Sequence, residues 1–225
     1  MTSPFFSVLL CTFNRAHLLP RALDSLLIQH ETDWEALIID DGSTDRTAEV
    51  VQPYLRQAPN LHYVQQENRG LALSRNAGAR LAKGKFLTFL DSDDWFAPDH
   101  LATRRKVIEQ HPCANFLHGG VQIIGDPYVA DRENPAVRVH LDQCIIDATF
   151  VIRRRLFFRL GGFPALAYSA GNALFQRAVQ AGVKPVKVNA PTYVYDRTTP
   201  DSICTIAAQG GIAAIEQFRK GAWPR

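Results

Sequence analysis

Four short apolar runs before residue 92, separated by stretches with helical spacing, restrict this chain to one kind of architecture. The runs are Phe6–Cys11 ("FSVLLC"), Glu35–Asp40 ("EALIID"), Leu61–Gln66 ("LHYVQQ") and Lys85–Leu90 ("KFLTFL"). Between them, Leu19, Leu23, Leu26 and Leu27 predict a helix from about Ala16 to Gln29, with Pro20 near its start, where a missing N–H costs little. Thr44 or Asp45 caps a second helix running to about Gln57, and a third spans Leu71–Lys83 with Gly84 as its stop. Strands alternating with helices of this length imply right-handed βαβ units. The predicted fold class is α/β: a mostly parallel central sheet with helices on both faces.

Beyond Pro98 the pattern loosens. A helix is expected over about Pro98–Gln110, a strand over "NFLHGGVQII", and irregular polar chain over 126–143. Helices follow at about Arg153–Leu160, stopped by Gly161–Gly162, and at about Asn172–Ala181. "KPVKVN" and "TYVYD" read as short strands and Ile206–Lys220 as a final helix. With 225 residues, 46% hydrophobic and 21% charged, the chain suits one globular domain with a sizeable core. Residues 1–97 form its first half, 98–205 its second, and 206–225 a terminal helix. A net charge of +3 with scattered basic residues argues against nucleic-acid binding.

Cys11, Cys113, Cys144 and Cys204 lack metal-ligand spacing, and no secretory leader is visible at "MTSPFFSVLL". Reduced thiols in a cytoplasmic protein are therefore expected. No apolar run approaches the roughly 20 residues of a membrane-spanning helix. Arg219, Lys220, Trp223 and Arg225 offer either peripheral contact with the inner face of an anionic membrane or packing on the domain.

In open parallel sheets, ligands bind beyond the carboxyl ends of the strands. "CTFNR", "DDGSTD", "ENRG" and "DSDDW" all fall there. Asp91, Asp93 and Asp94 crowd three carboxylates into four positions. Asp91 and Asp93 suit a hard divalent cation, Mn²⁺ or Mg²⁺, completed by water and phosphate oxygens; a solvated turn is the other reading. Asp41 can accept hydrogen bonds from a base or ribose, or serve a turn. Arg75 can fork onto phosphate or base oxygens. Ala72, Ala77, Gly78 and Ala79 permit either close ligand approach or tight helix–sheet packing.

Taken together, "SVLLCTFNRAHLLPRALDSLLIQ", "WEALIIDDGSTDRT", "ENRGLALSRNAGARLAKGKFLTFLDSDDW" and "RRRLFFRLGGF" closely resemble the inverting family 2 glycosyltransferases with a GT-A (nucleotide-diphospho-sugar transferase) fold. The resemblance is dense over 6–96 and thinner over 145–203. It implies that Thr12, Asn14, Asp41, Asn68, Arg75, Asp91 and Ser92 bind a nucleotide-diphosphate sugar, with UDP favoured. Asp93, with Asp91, would hold the metal. Asp94 would act at the sugar, and Trp95, Gly161, Gly162 and Phe163 would stand on the acceptor side. The implied reaction moves the sugar to a hydroxyl of a glycan, lipid-linked or small-molecule acceptor, as in cell-envelope polysaccharide synthesis.

The pattern breaks at the general base. The family's Glu-Asp pair falls on Ala170 and Gly171, neither of which can accept a proton. Asp147 is the preferred replacement, with Asp196 and Asp201 as alternatives; the competing reading is a sugar-nucleotide-binding protein with little or no transfer. Thr199 replaces a family His, and Cys11 stands where Pro is common. A nucleotidyltransferase would want a Gly-rich, basic phosphate loop, which "CTFNRAHLL" lacks.

Overall fold

The computed structural model describes residues 3–130, 137–167 and 169–200, together with 202, 205–206, 213–215 and 217. The first half carries strands β1 (Phe6–Thr12), β2 (Trp34–Asp40), β3 (Leu61–Gln65) and β4 (Phe86–Asp91), joined by helices α1 (Leu19–Leu27), α2 (Thr47–Gln57) and α3 (Leu71–Leu81). The second half adds β5 (Trp95–Phe96), α4 (His100–Gln110), β6 (Phe116–His118), β7 (Val121–Ile124), β8 (Tyr128–Ala130) and β9 (Arg138–His140). It continues through β10 (Val151–Arg153), α5 (Arg154–Arg159), α6 (Ala170–Gln180), β11 (Val186–Lys187) and β12 (Tyr193–Asp196).

The central sheet has the order β11-β6-β10-β4-β1-β2-β3. Strands β4, β1, β2 and β3 are parallel, whereas β10 runs antiparallel to both β4 and β6. Every residue of β1 and β2 is buried, as expected of parallel strands covered on both faces. Alternation sorts their side chains. Phe6, Val8 and Leu10 join Leu19, Leu23 and Leu26 of α1, Val51 of α2 and Ile108 of α4 in one core. Leu9 and Cys11 face the other way, onto Ala72 and Ala79 of α3, Phe157 of α5 and Leu174 of α6. Gly78 lets α3 sit close: a Cβ there would lie 3.1 Å from Ile39 and 3.2 Å from Leu9. Register aligns the strand exits, pairing Thr12 with Asp40 and Cys11 with Asp91.

Several local expectations change. "NFLHGGVQII" is two strands in two different sheets, because Gly119 and Gly120 take φ of +85° and +73° between them. Strand β7 joins β12 and β5 in a small three-stranded sheet. The stretch 126–143 contains the antiparallel pair β8–β9 rather than irregular chain throughout. Helix α3 ends at Leu81, with Ala82 extended. Gly84 is there for space instead: a Cβ would come within 2.6 Å of the Ser7 backbone nitrogen. The buried Glu35 carboxylate accepts from Ser7 Oγ at 2.6 Å and from the Lys83 and Gly84 amides, tying that corner together.

Near the end of the chain, 205–206, 213–215 and 217 are helical, and Ile206, Ala214 and Ile215 pack with Ala167. The rest of the expected terminal helix lies outside the described residues, as do Asp201, Cys204, Arg219, Lys220, Trp223 and Arg225. Among the described residues, Cys11 and Cys113 form no disulfide. Among the described residues, no helix is long and apolar enough to cross a membrane.

Candidate active site

A cavity of about 610 Å³ opens beyond the carboxyl ends of β1, β2 and β4, within the usual range for small-ligand sites. Thr12, Arg15, Asp41, Asn68, Arg75, Asp91, Ser92 and Asp93 belong to its lining, and so do Asp147, Ala170 and Gly171.

Arg75 is the electrostatic centre. It projects from α3, is 2% exposed, and bridges two carboxylates: Nη2 to Asp91 at 2.7 Å and Nη1 to Asp147 at 3.0 Å. Burial alone would weaken the guanidinium, but Asp91 and Asp147 more than reverse this and raise its pKa. The rings of Phe89 and Phe163 each stand 5.3 Å from its Cζ. Phe163 is held there by Asn76, which donates to its carbonyl at 2.8 Å and accepts from its N–H at 2.9 Å. Gly161 and Gly162 take φ of +80° and +67°, and a Cβ on Gly162 would meet Asn76 Oδ1 at 2.6 Å. The Gly-Gly-Phe turn thus lies behind Arg75, outside the cavity lining, not on its acceptor rim.

At the end of β4, Asp93 pairs with the buried Arg15 at 3.2 Å. Its pKa is raised by burial and by the neighbouring Asp91 charge, against the pull of Arg15. Two crowded, partly buried carboxylates fit a Mg²⁺ or Mn²⁺ ion, which asks one or two carboxylates of the protein. Among the described residues no group of three or more His, Cys, Asp or Glu collects, so water and phosphate oxygens would fill the remaining positions. The buried Thr12 hydroxyl has no hydrogen-bond partner among the described residues, and it lies in the same lining.

Other expected site residues serve the frame. Asp41 lines the cavity, but its carboxylate accepts from the Arg69 amide at 2.8 Å, the Gly70 amide at 2.7 Å and Gln66 Nε2 at 2.9 Å. It thereby shapes the loop that presents Asn68. Asn14, at φ +53°, lies outside the lining and pins the loop after β2, its Oδ1 accepting from the Thr44 amide at 2.8 Å. Asp94, expected at the sugar, is fully buried: Tyr193 Oη donates to it at 2.6 Å and the Asp196 amide at 2.9 Å. Burial, then the charges of Asp93 and Asp91, raise its pKa well above the ordinary value. Trp95 stacks under Arg21, whose Cζ is 4.0 Å from the ring centroid. Arg21 also pairs with Asp196 at 2.8 Å, which removes that carboxylate from the cavity.

Asp147 sits in a short 3₁₀ turn before β10. An ideal Cβ on Gly171 would lie 2.0 Å from Asp147 Cβ and 2.2 Å from its Oδ2. The carboxylate therefore occupies the space a side chain at 171 would take, against the first turn of α6, where the helix dipole favours an anion. Arg15 and Arg21 escaped the sequence reading; the one available signal was an Arg directly after a strand end in "CTFNR".

The sequence model described as glycosyl transferase family 2 matches residues 7–180. An uncharacterised glycosyltransferase of Haemophilus influenzae is 31% identical over 212 residues, covering 88% of this chain and 71% of that protein. Among solved structures, Staphylococcus aureus TarS 1–349 in complex with UDP-GlcNAc has a TM-score of 0.74 at 22% identity, covering 95% of this chain and 66% of its own. Mannosyltransferase PcManGT from Pyrobaculum calidifontis, in complex with GDP-Man and Mn²⁺, has a TM-score of 0.68 at 24% identity, covering 98% and 61%. The chain spans less than two thirds of several such relatives. With the strand order, the cavity at the strand exits and these likenesses in agreement, the chain belongs to glycosyl transferase family 2 and is a glycosyltransferase of GT-A architecture.

Proposed function

We propose that the protein transfers a sugar from a nucleotide diphosphate, UDP favoured, to an acceptor hydroxyl with inversion at the anomeric carbon. The observation that carries this is the cavity itself, where the buried Arg75 bridges Asp91, at the end of β4, and Asp147, in the turn before β10. Residues 1–97 would supply the donor wall and 98–205 the acceptor wall. Thr12, Asn68 and Ser92 would contact the nucleotide, and Asp41 would hold the loop beside the base. Asp91 and Asp93 would hold a Mn²⁺ or Mg²⁺ ion. Such an ion, when bound, neutralises charge on the departing diphosphate.

Asp147 is the base in this reading. Its carboxylate takes the acceptor's hydroxyl proton as the oxygen forms its bond to the anomeric carbon. The bond from that carbon to the phosphate oxygen breaks, and its electron pair leaves with the diphosphate. Support comes from Asp147 being 31% exposed in the cavity, held by Arg75 and seated where position 171 would place a side chain. Positioned proton transfer of this kind contributes about 10²–10⁴-fold.

A thermal-shift panel of UDP-, dTDP- and GDP-sugars with and without Mn²⁺ or Mg²⁺ tests the donor reading, since a ligand selective for the native state raises the melting temperature. One nucleotide sugar should stabilise the protein jointly with the ion, and less in Asp93→Asn. Uniformly flat responses would overturn it. Ala170 and Gly171 favour a second reading, donor binding without transfer, which predicts the same shifts with no released nucleoside diphosphate.

A further inference from the structure

The chain's charge is unevenly shared. Residues 68–90 and 148–195, which carry α3, α5 and α6, hold twelve of its 25 lysines and arginines and none of its 22 aspartates and glutamates. Helices α3 and α5 pack on the same face of the central sheet, through Ala72, Ala79, Leu156 and Phe157, so both segments charge one surface. Arg80, Lys83, Lys85, Arg155 and Arg159 are exposed there, and Arg154 is half-buried. Direct contacts join them. Arg80 and Phe158 line one small groove between the two helices, Arg154 Cζ stands 5.7 Å from the Phe158 ring, and the Arg154 amide donates to the Lys85 carbonyl at 3.0 Å.

Among the described residues, none of these six cations has an ion-pair partner, whereas Arg46, Arg105 and Arg138 on other surfaces pair with Glu49, Glu31 and Asp126. Glu35, which accepts from the Lys83 and Gly84 amides, is itself buried. The patch ends at Phe5, whose ring lies 5.6 Å from Lys85 Nζ and 4.4 Å from Arg105 Cζ, the latter neutralised by Glu31, Asp33 and Glu109. Two large apolar side chains stand among the cations: Phe158 is 43% exposed and Leu81 49%.

Like charges gathered on one face repel one another, so the fold gains nothing from them, and the partner that fits is polyanionic. It must also accept apolar side chains. Single-stranded nucleic acid wants a row of rings for its bases to stack on, and here one ring stands beside an aliphatic side chain. A bilayer with anionic headgroups meets both demands, offering phosphates to the cations and an acyl boundary to the apolar pair. We propose that the α3–α5 face docks on a membrane bearing anionic phospholipid, its arginines and lysines meeting headgroup phosphates while Phe158 and Leu81 enter the layer beneath. None of these residues lines the large cavity, and the docking is independent of the transferase reading.

The test is co-sedimentation of the full chain with vesicles of phosphatidylcholine alone or with about 30% phosphatidylglycerol. Partitioning onto the anionic vesicles should exceed that onto the neutral ones at least about tenfold, and should fall at least about tenfold as salt rises from about 0.05 to about 0.5 M. Each cation at such a surface is worth about fivefold, so Arg80→Glu with Arg155→Glu should weaken partitioning at least about 30-fold. Phe158→Ser should weaken it about fivefold through the lost apolar insertion. All three side chains are exposed, so the melting temperature should hold and the loss reports docking. Arg56→Glu, an exposed change on α2 against the other face of the sheet, controls for net charge and should cost less than about threefold. Equal partitioning onto the two vesicle types overturns the proposal, as does a loss in Arg56→Glu that matches the double variant. A single-stranded oligonucleotide bound more tightly than the anionic vesicles, and released by the same double variant, would assign the face to nucleic acid and overturn it as well.

Discussion

Replacing Gly171 with alanine adds one methyl group, and the structure says where it goes. The new Cβ would lie 2.0 Å from Asp147 Cβ, 2.2 Å from Oδ2 and 2.4 Å from Cγ. An ordinary carbon contact is about 3.5–4 Å, so roughly 1.5 Å must be found. Asp147 cannot supply it by rotation, because its own Cβ is the atom most crowded. Either its turn or the first turn of α6 must move, and the 3.0 Å bond from Arg75 Nη1 to Oδ2 is lost. Overpacking of this kind costs about 1–3 kcal/mol, which lowers the melting temperature by about 2–10 °C for a chain of this size. The larger effect falls on transfer. A reacting group misplaced by about 1 Å costs about 10²-fold, and full loss of the base up to about 10⁴-fold. Release of nucleoside diphosphate, followed at saturating donor, should fall about 10²–10⁴-fold in Gly171→Ala and equally in Asp147→Ala. The double variant Asp147→Ala, Gly171→Asp returns a carboxylate to the same space from a different stem and should recover at least about tenfold over Asp147→Ala. Gly171 is helical, so aspartate is compatible with its backbone. Wild-type turnover in Gly171→Ala, with a folded protein, would refute the assignment of Asp147 to this space and this role.

Arg75→Met should weaken the sugar nucleotide by about 10–100-fold in calorimetry, the worth of a charge-assisted hydrogen bond or two, and Arg75→Lys should not rescue it because one ammonium cannot bridge Asp91 and Asp147 as the fork does. Asp94→Ala leaves the buried Tyr193 O–H and Asp196 N–H without the acceptor they donate to, at about 1–3 kcal/mol each, whereas Asp94→Asn keeps an acceptor; a fluorimetric melt should rank Asn well above Ala, and equal melts would deny Asp94 its structural role. His100 is buried, stacked 3.8 Å from Phe96 and bonded to Thr192 Oγ1 at 3.0 Å, and its pKa is pushed well below the ordinary value by burial and by the neighbouring Arg104 charge. The unfolded chain takes up that proton below about pH 6.5 while the folded one does not, so stability should fall as pH drops below 6.5, by up to about 1.4 kcal/mol per pH unit from this group. His100→Gln should flatten that limb of a denaturant-midpoint profile.

Local spacing was enough for the frame that carries the donor wall. Apolar runs bounded by polar clusters, repeated with helical spacing between them, leave a parallel sheet as the arrangement that buries both faces, and parallel strands bring their carboxyl ends to one edge. Thr12, Asp41, Arg75, Asp91 and Asp93 therefore share a cavity for a reason already present in residues 6–96. Even there, what each side chain does depended on tertiary partners. Asp41 is saturated by the Arg69 and Gly70 amides, and Asp94 is swallowed by a strand 102 positions away in the chain. No periodicity encodes such pairings.

The second half was less legible because its strands are only two to four residues long and pair out of order. The Gly119–Gly120 hinge sends β6 and β7 into different sheets, a choice set by where β10, β11 and β12 dock rather than by the run's own composition. The chain's residues alone determined that position 171 could not carry a base, since glycine has no side chain. Only the folded protein decided that the Asp147 carboxylate fills that vacancy of volume, because two segments 24 positions apart in sequence must pack face to face before one can yield space to the other.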